Sequence, residues 1–417
     1  MAPVRGRRLA LLLVASIALA GAAFITVPYV HGLSFVIRTA DMHGTVRRLA
    51  DLDTQNEQEH EITIGTARGP LRARVYDPTA RHHRAALLVS GLHPSGIDEP
   101  RLVRLARQLS AAGITVVTPD IPELSRFEIT PAITDTIERA AVWLATESDL
   151  ARGQSVGMMG ISFSGGLSIV AAGRPSLANR VAYVFAFGGH DDLQRVLRYL
   201  CTGTEPYPPG RVQLKPDTTR ATANAAPPDR GGRLPPDQPF VLPPHDYGVA
   251  VILLGVADRL VPPSQVEPLR AGIRRFLFAS ALDSNVDKAR AAREFEALRQ
   301  LAKTLPEPSA TLLRYVNDRD VVHLGPRLLP YVSLYSGDPA LSVSRSPKPS
   351  APVFLLHGTE DNVIPALESE YLADDLRGHA AVRLLLSGLI SHAEADRPVH
   401  AGDVMQLASF WGDLLNR

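Results

Sequence analysis

The sequence predicts an α/β chain: a doubly wound, mostly parallel sheet with a helical cap insertion and an N-terminal membrane-anchor helix. Three observations carry this prediction. Short, predominantly apolar runs alternate with amphipathic stretches from residue 85 to residue 189, as buried parallel strands and their crossover helices do. That alternation stops after Asp192 and resumes only at "PVFLLHG" (352–358). An uncharged run from Leu9 to Val30 follows Arg5, Arg7 and Arg8.

The run "LALLLVASIALAGAAFITVPYV" holds 22 residues, enough for a helix to cross a hydrocarbon core of about 30 Å. Ala18-Leu19-Ala20 also fits a signal-peptidase site, in which case residues 1–20 are removed and the remainder is secreted. Apolar character continues through Phe24 and Ile25, which favours an uncleaved anchor. Arginines on the N-terminal flank hold that end in the cytoplasm, so both options place the body outside it, in the periplasm or beyond the cell. The expected divisions are an anchor (1–32), a helical linker (33–59), a sheet core (60–193 and 348–417) and a Pro-rich loop with a helical cap (194–347).

Within the core, "EITIG" (61–65) and "LRARVYDP" (71–78) alternate as strands around the turn Arg68-Gly69-Pro70. "AALLVSG" (85–91) reads as a strand buried on both faces. Glu99 to Ala112 carries Leu102, Leu105, Ala106 and Leu109 at helical spacing and is closed by Gly113. The strand "ITVVTPD" (114–120), a helix from Ile133 to Thr146, the strand "SVGMMG" (155–160), a helix from Leu167 to Ala172 and the strand "VAYVFAFGG" (181–189) follow. From Pro206 to Pro244 there are eleven prolines among Gly, Thr and Asp, a composition that builds no packed core. Helical patterns return over Tyr247–Leu260, Val266–Ala281 and Asp287–Thr304; then come the strands 352–358 and "AVRLLLSG" (381–388) and a last helix, Val404–Leu415.

Composition narrows function. Of the 417 residues, 45% are hydrophobic and 21% charged, ordinary for a globular chain. A net charge of +1, with no basic stripe, argues against a nucleic-acid partner. Cys201 is the single cysteine, so no internal disulfide forms, and no Cys/His cluster proposes zinc.

A serine hydroxyl becomes a nucleophile when a histidine removes its proton and a carboxylate fixes that histidine. On an α/β sheet the three sit on loops at strand carboxyl ends, in chain order Ser, Asp, His. "GISFSGG" (160–166) places a serine between a buried strand and a helix with only small neighbours. Asp361 stands in a polar turn after the strand 352–358, and His392 in the loop "SGLISHAE" after the last strand. Catalytic Ser162, Asp361 and His392 are therefore the expected triad. Ser162 is preferred over Ser164 because the apolar strand ends at Met159, which makes Gly160 the first residue of the turn. The oxyanion hole is expected from the backbone N–H groups of Phe163, the residue after the nucleophile, and of Leu92 in "SGLHPSG" (90–96). His93 in that loop fits packing or substrate lining better than base chemistry.

Taken together, "GISFSGG", "SGLHPSG", "LLHGTEDNVIP" and "SGLISHAE" resemble the α/β-hydrolase superfamily over residues 60–193 and 348–417, with the insertion in the place of its variable cap. The serine motif departs from GxSxG, because its fifth residue is Ser164. The dienelactone-hydrolase-like and prolyl-peptidase-like branches are also similar. The resemblance implies hydrolysis through an acyl-enzyme, usually of esters, with no metal or cofactor, and a small-molecule or lipid-like ester as substrate.

Competing residues exist. "GVADRLVPP" (255–263) imitates the acid turn and offers Asp258, but within a helical stretch. Asp191 and Asp192 follow the strand ending at Gly189, a second position for an acid. His190, His357, His379 and His400 lack the base's strand-end position, and His357 is expected to brace the acid turn. The same machinery also suits a peptidase or an acyltransferase, and a non-catalytic binding protein with a relic triad is the reading from another class.

Overall fold

The computed structural model describes residues 26–80, 84–208, 239–283, 287–390 and 401–417. Among them the apolar runs form an eight-stranded sheet from β1 (Glu57–Thr66), β2 (Gly69–Pro78), β3 (Ala85–Val89), β4 (Thr115–Pro119), β5 (Val156–Ile161), β6 (Val181–Phe187), β9 (Val353–Gly358) and β10 (Val382–Ser387). A separate two-stranded ribbon pairs β7 (Thr204–Glu205) with β8 (Phe240–Val241). The large sheet has the order β1-β2-β4-β3-β5-β6-β9-β10. Only β2 is reversed: it pairs antiparallel with β1 and β4, and every other pairing is parallel.

The helices, in chain order, are α1 (26–39), α2 (Thr45–Asp51), α3 (Pro100–Ala111), α4 (Pro122–Ser125), α5 (Pro131–Thr146), α6 (Phe163–Ala172) and α7 (Leu193–Thr202). The cap adds α8 (Tyr247–Leu260), α9 (Pro263–Asp283), α10 (Lys288–Thr304), α11 (Ser309–Asn317), α12 (Val321–Leu328) and α13 (Val332–Ser336), and the core closes with α14 (Leu367–Leu376) and α15 (Ala401–Leu415).

Two-residue periodicity sorts the central strands between two cores. Leu87, Val89, Met158, Val184 and Leu355 face one core, with α5, α6 and the cap helices. Leu88, Met159, Phe185 and Leu356 face the other, against α3, α15 and α1. The cap shares the first core: Ile252, Leu253 and Ile273 belong to the same buried cluster as the sheet. It is thus packed onto the sheet as one body of apolar contacts rather than perched above it.

The N-terminal divisions need correction. The expected boundary at residue 32 falls inside α1, and the expected linker opens with core residues. Gly32 lies so close to the Ala408 carbonyl, and Gly412 to that of Pro28, that a Cβ on either would overlap backbone. Phe35 is fully buried, with its ring centroid 4.4 Å from that of Trp411. Arg38 donates from Nη1 to the carbonyls of Ala50 (3.2 Å) and Asp53 (3.0 Å), and His31 Nδ1 lies 2.6 Å from Asp53 Oδ2. Among the described residues no helix is long and apolar enough to cross a membrane; residues 9–25 of the expected anchor lie outside them. Most of the Pro-rich stretch, residues 209–238, also lies outside.

If α1 is part of the core, Phe35→Ala removes a fully buried aromatic from the Trp411 contact and lowers unfolding stability by about 3–5 kcal/mol. Denaturant unfolding checks this, and a loss below about 1 kcal/mol contradicts the packing.

Candidate active site

Ser162 joins β5 to α6 with φ 56° and ψ −128°, a left-handed conformation rare for a residue with a Cβ. Small neighbours make the turn possible. A Cβ on Gly160 would overlap the Ser164 carbonyl, and one on Gly91 would stand 3.4 Å from Ser162 Cβ. The Ser162 N–H donates to the Phe187 carbonyl at 2.6 Å, tying the turn to β6.

The two serines of "GISFSGG" have different environments. Ser164 is fully buried. Its Oγ accepts from the Ile161 N–H (2.9 Å), and its hydroxyl hydrogen faces the carbonyls of Ile161 (2.9 Å) and Val89 (3.0 Å). Ser162 is half-buried at the loop side of the sheet, where the "SGLHPSG" loop passes it.

Asp361 is buried after β9, and its Oδ1 accepts from the N–H groups of Val363 (2.9 Å) and Ile364 (3.1 Å). This leaves Oδ2 as the oxygen not used by the turn's own backbone. Behind it, the buried His357 ring bridges the turn. Its Nε2–H donates to the Ile364 carbonyl (2.9 Å), so Nδ1 accepts from the Ser369 hydroxyl (2.6 Å). His357 stands 3.6 Å from Asp361 Oδ2 as a brace of the acid turn, as expected from the sequence.

Gly188 joins the two turns. The point where its Cβ would sit is 3.5 Å from Asp361 Oδ2, 3.8 Å from His357 Nε2 and 3.9 Å from Ser162 Cα. With φ +64°, the position also disfavours any side chain. His392 lies outside the described residues. The chain leading to it is described as far as Ile390, whose carbonyl rests against Gly358 at the end of β9.

The expected oxyanion donors, Phe163 and Leu92, belong to the two segments that border the serine. The Phe163 N–H is in the first turn of α6, where backbone N–H groups have no intrahelical partner and the helix dipole favours negative charge. Leu92 follows Gly91, which packs on Ser162. His93 Nδ1 accepts from the Ser95 N–H at 3.2 Å, and burial pushes the pKa of its ring down, as suits a loop-packing residue.

The rival acids are engaged elsewhere. Asp258 lies on α8 and pairs with Arg259 (3.2 Å) and Arg270 (3.4 Å). Asp192 caps α7 by accepting from the Gln194 N–H at 2.8 Å. His190 is fully buried, its ring stacked on Phe163 with centroids 5.1 Å apart and its Nε2 2.9 Å from the Leu341 carbonyl of the cap. Burial lowers its pKa, so the neutral ring donates there. His379 follows α14, and His400 lies outside the described residues.

A buried ionic cluster escaped the sequence reading. Glu368, on α14, accepts from the N–H groups of Asp191 (2.7 Å) and Asp192 (3.1 Å) and from Arg195 Nη2 (3.0 Å). Arg195 also reaches Asp191 (3.1 Å) and Glu205 (3.3 Å), and its guanidinium lies 3.5 Å from the Tyr371 ring centre. One cation thus faces three carboxyl groups, joining α7 and β7 of the cap to the core. Burial and the neighbouring Glu368 push Glu205 up to about 10, and burial pushes Asp191 up to about 7. The available signal was Glu368 at helical spacing from Leu372 and Leu376, a charge on the buried side of α14.

Raised pKa values mean that the folded chain holds protons its unfolded carboxyls release. The contribution of Glu205 is therefore complete below about pH 4.5 and is lost as pH rises toward about 10. Glu205→Gln mimics the neutral acid. Thermal unfolding at about pH 6 and about pH 9 is expected to show the variant losing less stability than the parent; equal losses would refute the protonated cluster.

No protein-family model matches the sequence, and no curated protein matches it. Solved structures do match. A dienelactone hydrolase from Anabaena variabilis is 15% identical with a TM-score of 0.39, over 85% of this chain and 96% of that one. An esterase from Pyrobaculum calidifontis is 14% identical with a TM-score of 0.40, over 93% and 92%. Brefeldin A esterase, a bacterial homologue of human hormone-sensitive lipase, is 12% identical with a TM-score of 0.41, over 87% and 79%. With one reversed strand in an otherwise parallel eight-stranded sheet, a left-handed serine between β5 and α6 and the Asp361 turn after β9, the chain has an α/β fold that resembles the arrangement expected from the sequence.

Proposed function

We propose that the chain is a serine hydrolase of carboxylic esters, on small-molecule or lipid-like substrates, held at a membrane by the part of the uncharged run upstream of the packed α1, residues 9–25, with its body outside the cytoplasm. The observation that carries the enzymatic reading is Gly188: Ser162 and Oδ2 of Asp361 converge on this one glycine.

In this reading His392 takes the proton of Ser162 Oγ as the oxygen attacks the ester carbonyl. The carbonyl oxygen becomes an oxyanion and is held by the N–H groups of Leu92 and Phe163. Collapse breaks the ester C–O bond, and His392 returns its proton to the departing alcohol. Water, deprotonated by His392, then attacks the acyl-enzyme and releases the acid and the free serine. Asp361 Oδ2 fixes the imidazole tautomer and offsets its transient charge. The packed cap bounds the pocket and selects the substrate.

Fluorophosphonate labelling of the full chain, with turnover of a short-chain aryl ester, tests the proposal. Ser162→Ala is expected to abolish labelling and lower turnover by about 10⁴-fold. Ser164→Ala is expected to keep labelling while losing stability, because it strips buried hydrogen bonds. Labelling lost in Ser164→Ala alone, or absent from the folded parent, would overturn the proposal.

A further inference from the structure

We propose that the outer face of the α1–α2 hairpin is a membrane-docking surface that lies on the lipid bilayer beside the anchor. The proposal rests on the reading of residues 9–25 as an anchor. Six of the ten large apolar side chains exposed among the described residues fall between positions 27 and 52: Val27, Val30, Met42, Val46, Leu49 and Leu52. Leu52, at 82%, is the most exposed of the ten.

The hairpin's construction brings Leu52 to the end of α1 that carries Val27 and Val30. The contacts from Arg38 to Ala50 and Asp53, and from His31 to Asp53, show that the end of α2 runs back along α1 toward its N-terminus. Leu52 therefore stands level with His31, within a turn of Val27 and Val30. On α2, Val46 and Leu49 are three residues apart and share a side. Its buried residue is Ala50, which faces the guanidinium of Arg38. The helix thus turns its large apolar residues outward and uses a polar contact inward, the reverse of a helix packed for a core. Tyr29 and Met405, the latter 56% exposed, line one shallow groove that extends the surface onto α15.

The occupant follows from where the chain comes from. The described part of α1 opens at Thr26, directly after the uncharged run from Leu9 to Ile25. A chain leaving a bilayer at that point has Val27, Tyr29, Val30 and Leu52 at the lipid boundary, where apolar and aromatic side chains are favoured. Lipid contact accounts for side chains that would otherwise face water.

The test uses the full chain in phosphatidylcholine vesicles, with an environment-sensitive fluorophore on Leu52→Cys or Leu49→Cys; the native Cys201 is buried. Val322→Cys on α12, also highly exposed, is the comparison. Nitroxide-labelled lipids are expected to quench the hairpin labels at least about threefold more than the α12 label. Equal quenching in protein that resists carbonate extraction overturns the docking face and leaves the anchor standing. Energy transfer between labelled copies without lipid quenching assigns the face to a second copy and also overturns it. Release by carbonate removes the anchor reading itself.

Discussion

The backbone at Ser162 is the constraint around which the core is arranged. A left-handed residue with a Cβ costs of the order of 1–3 kcal/mol and persists only where its surroundings leave no alternative. Here they come from four directions. Gly160 removes a side chain that would strike Ser164, and Gly91 lets the oxyanion loop approach. The Phe187 carbonyl receives the Ser162 N–H, and the Ser164 hydroxyl holds the strand end to Val89. The second serine of the motif is thus a structural partner of the first. Its side chain supplies hydrogen bonds that a glycine in the fifth position of GxSxG cannot make.

The cap meets this core through charge as well as apolar area. Arg195 faces Asp191, Glu205 and Glu368, so the one cation and three carboxyl groups reach neutrality only with two of the carboxyls protonated. Such clusters add little net stability over apolar packing, but one partner left alone is costly. The arrangement therefore holds the cap base in one register against α14. The Asn362 carbonyl, next to Asp361, accepts from the Tyr199 hydroxyl (3.2 Å) and the His245 N–H (2.8 Å), both cap groups. Cap position and acid position are mechanically linked.

What is legible in the sequence follows physical range. Strands buried on both faces, such as β3, β5 and β9, announce themselves as apolar runs, and α8 begins and ends where its periodicity does. Helix α14 goes unread because Glu368 and Ser369 interrupt its apolar side, and the reason for Glu368, a half-buried arginine 173 residues away, is not local. Helix α7 is hidden by the break in alternation after Asp192, and α12 by its internal Pro326. At the site, the turns of Ser162 and Asp361 can be read from local spacing, whereas their convergence on Gly188 depends on the neighbouring order of β5, β6 and β9. His392 belongs to the portion outside the described residues, and its place in the triad still rests on chain order.

The seating of α1 bears on how the protein can be matured. A cut after Ala20 would leave the described part of α1 whole, with Gly32 still against Ala408 and Pro28 against Gly412 of α15. A cut at residue 33 would strip away Gly32 and the His31–Asp53 pair and leave Phe35, the α1 ring on Trp411, two residues from a new chain end. Release from the membrane and retention at it are therefore both compatible with an intact domain, provided that processing stays upstream of α1. With Gly32 seated on α15, the described part of α1 belongs to the folded body rather than to a tether. Whatever precedes Thr26 in the chain therefore joins a helix that moves with the sheet, as a handle cast in one piece with its vessel.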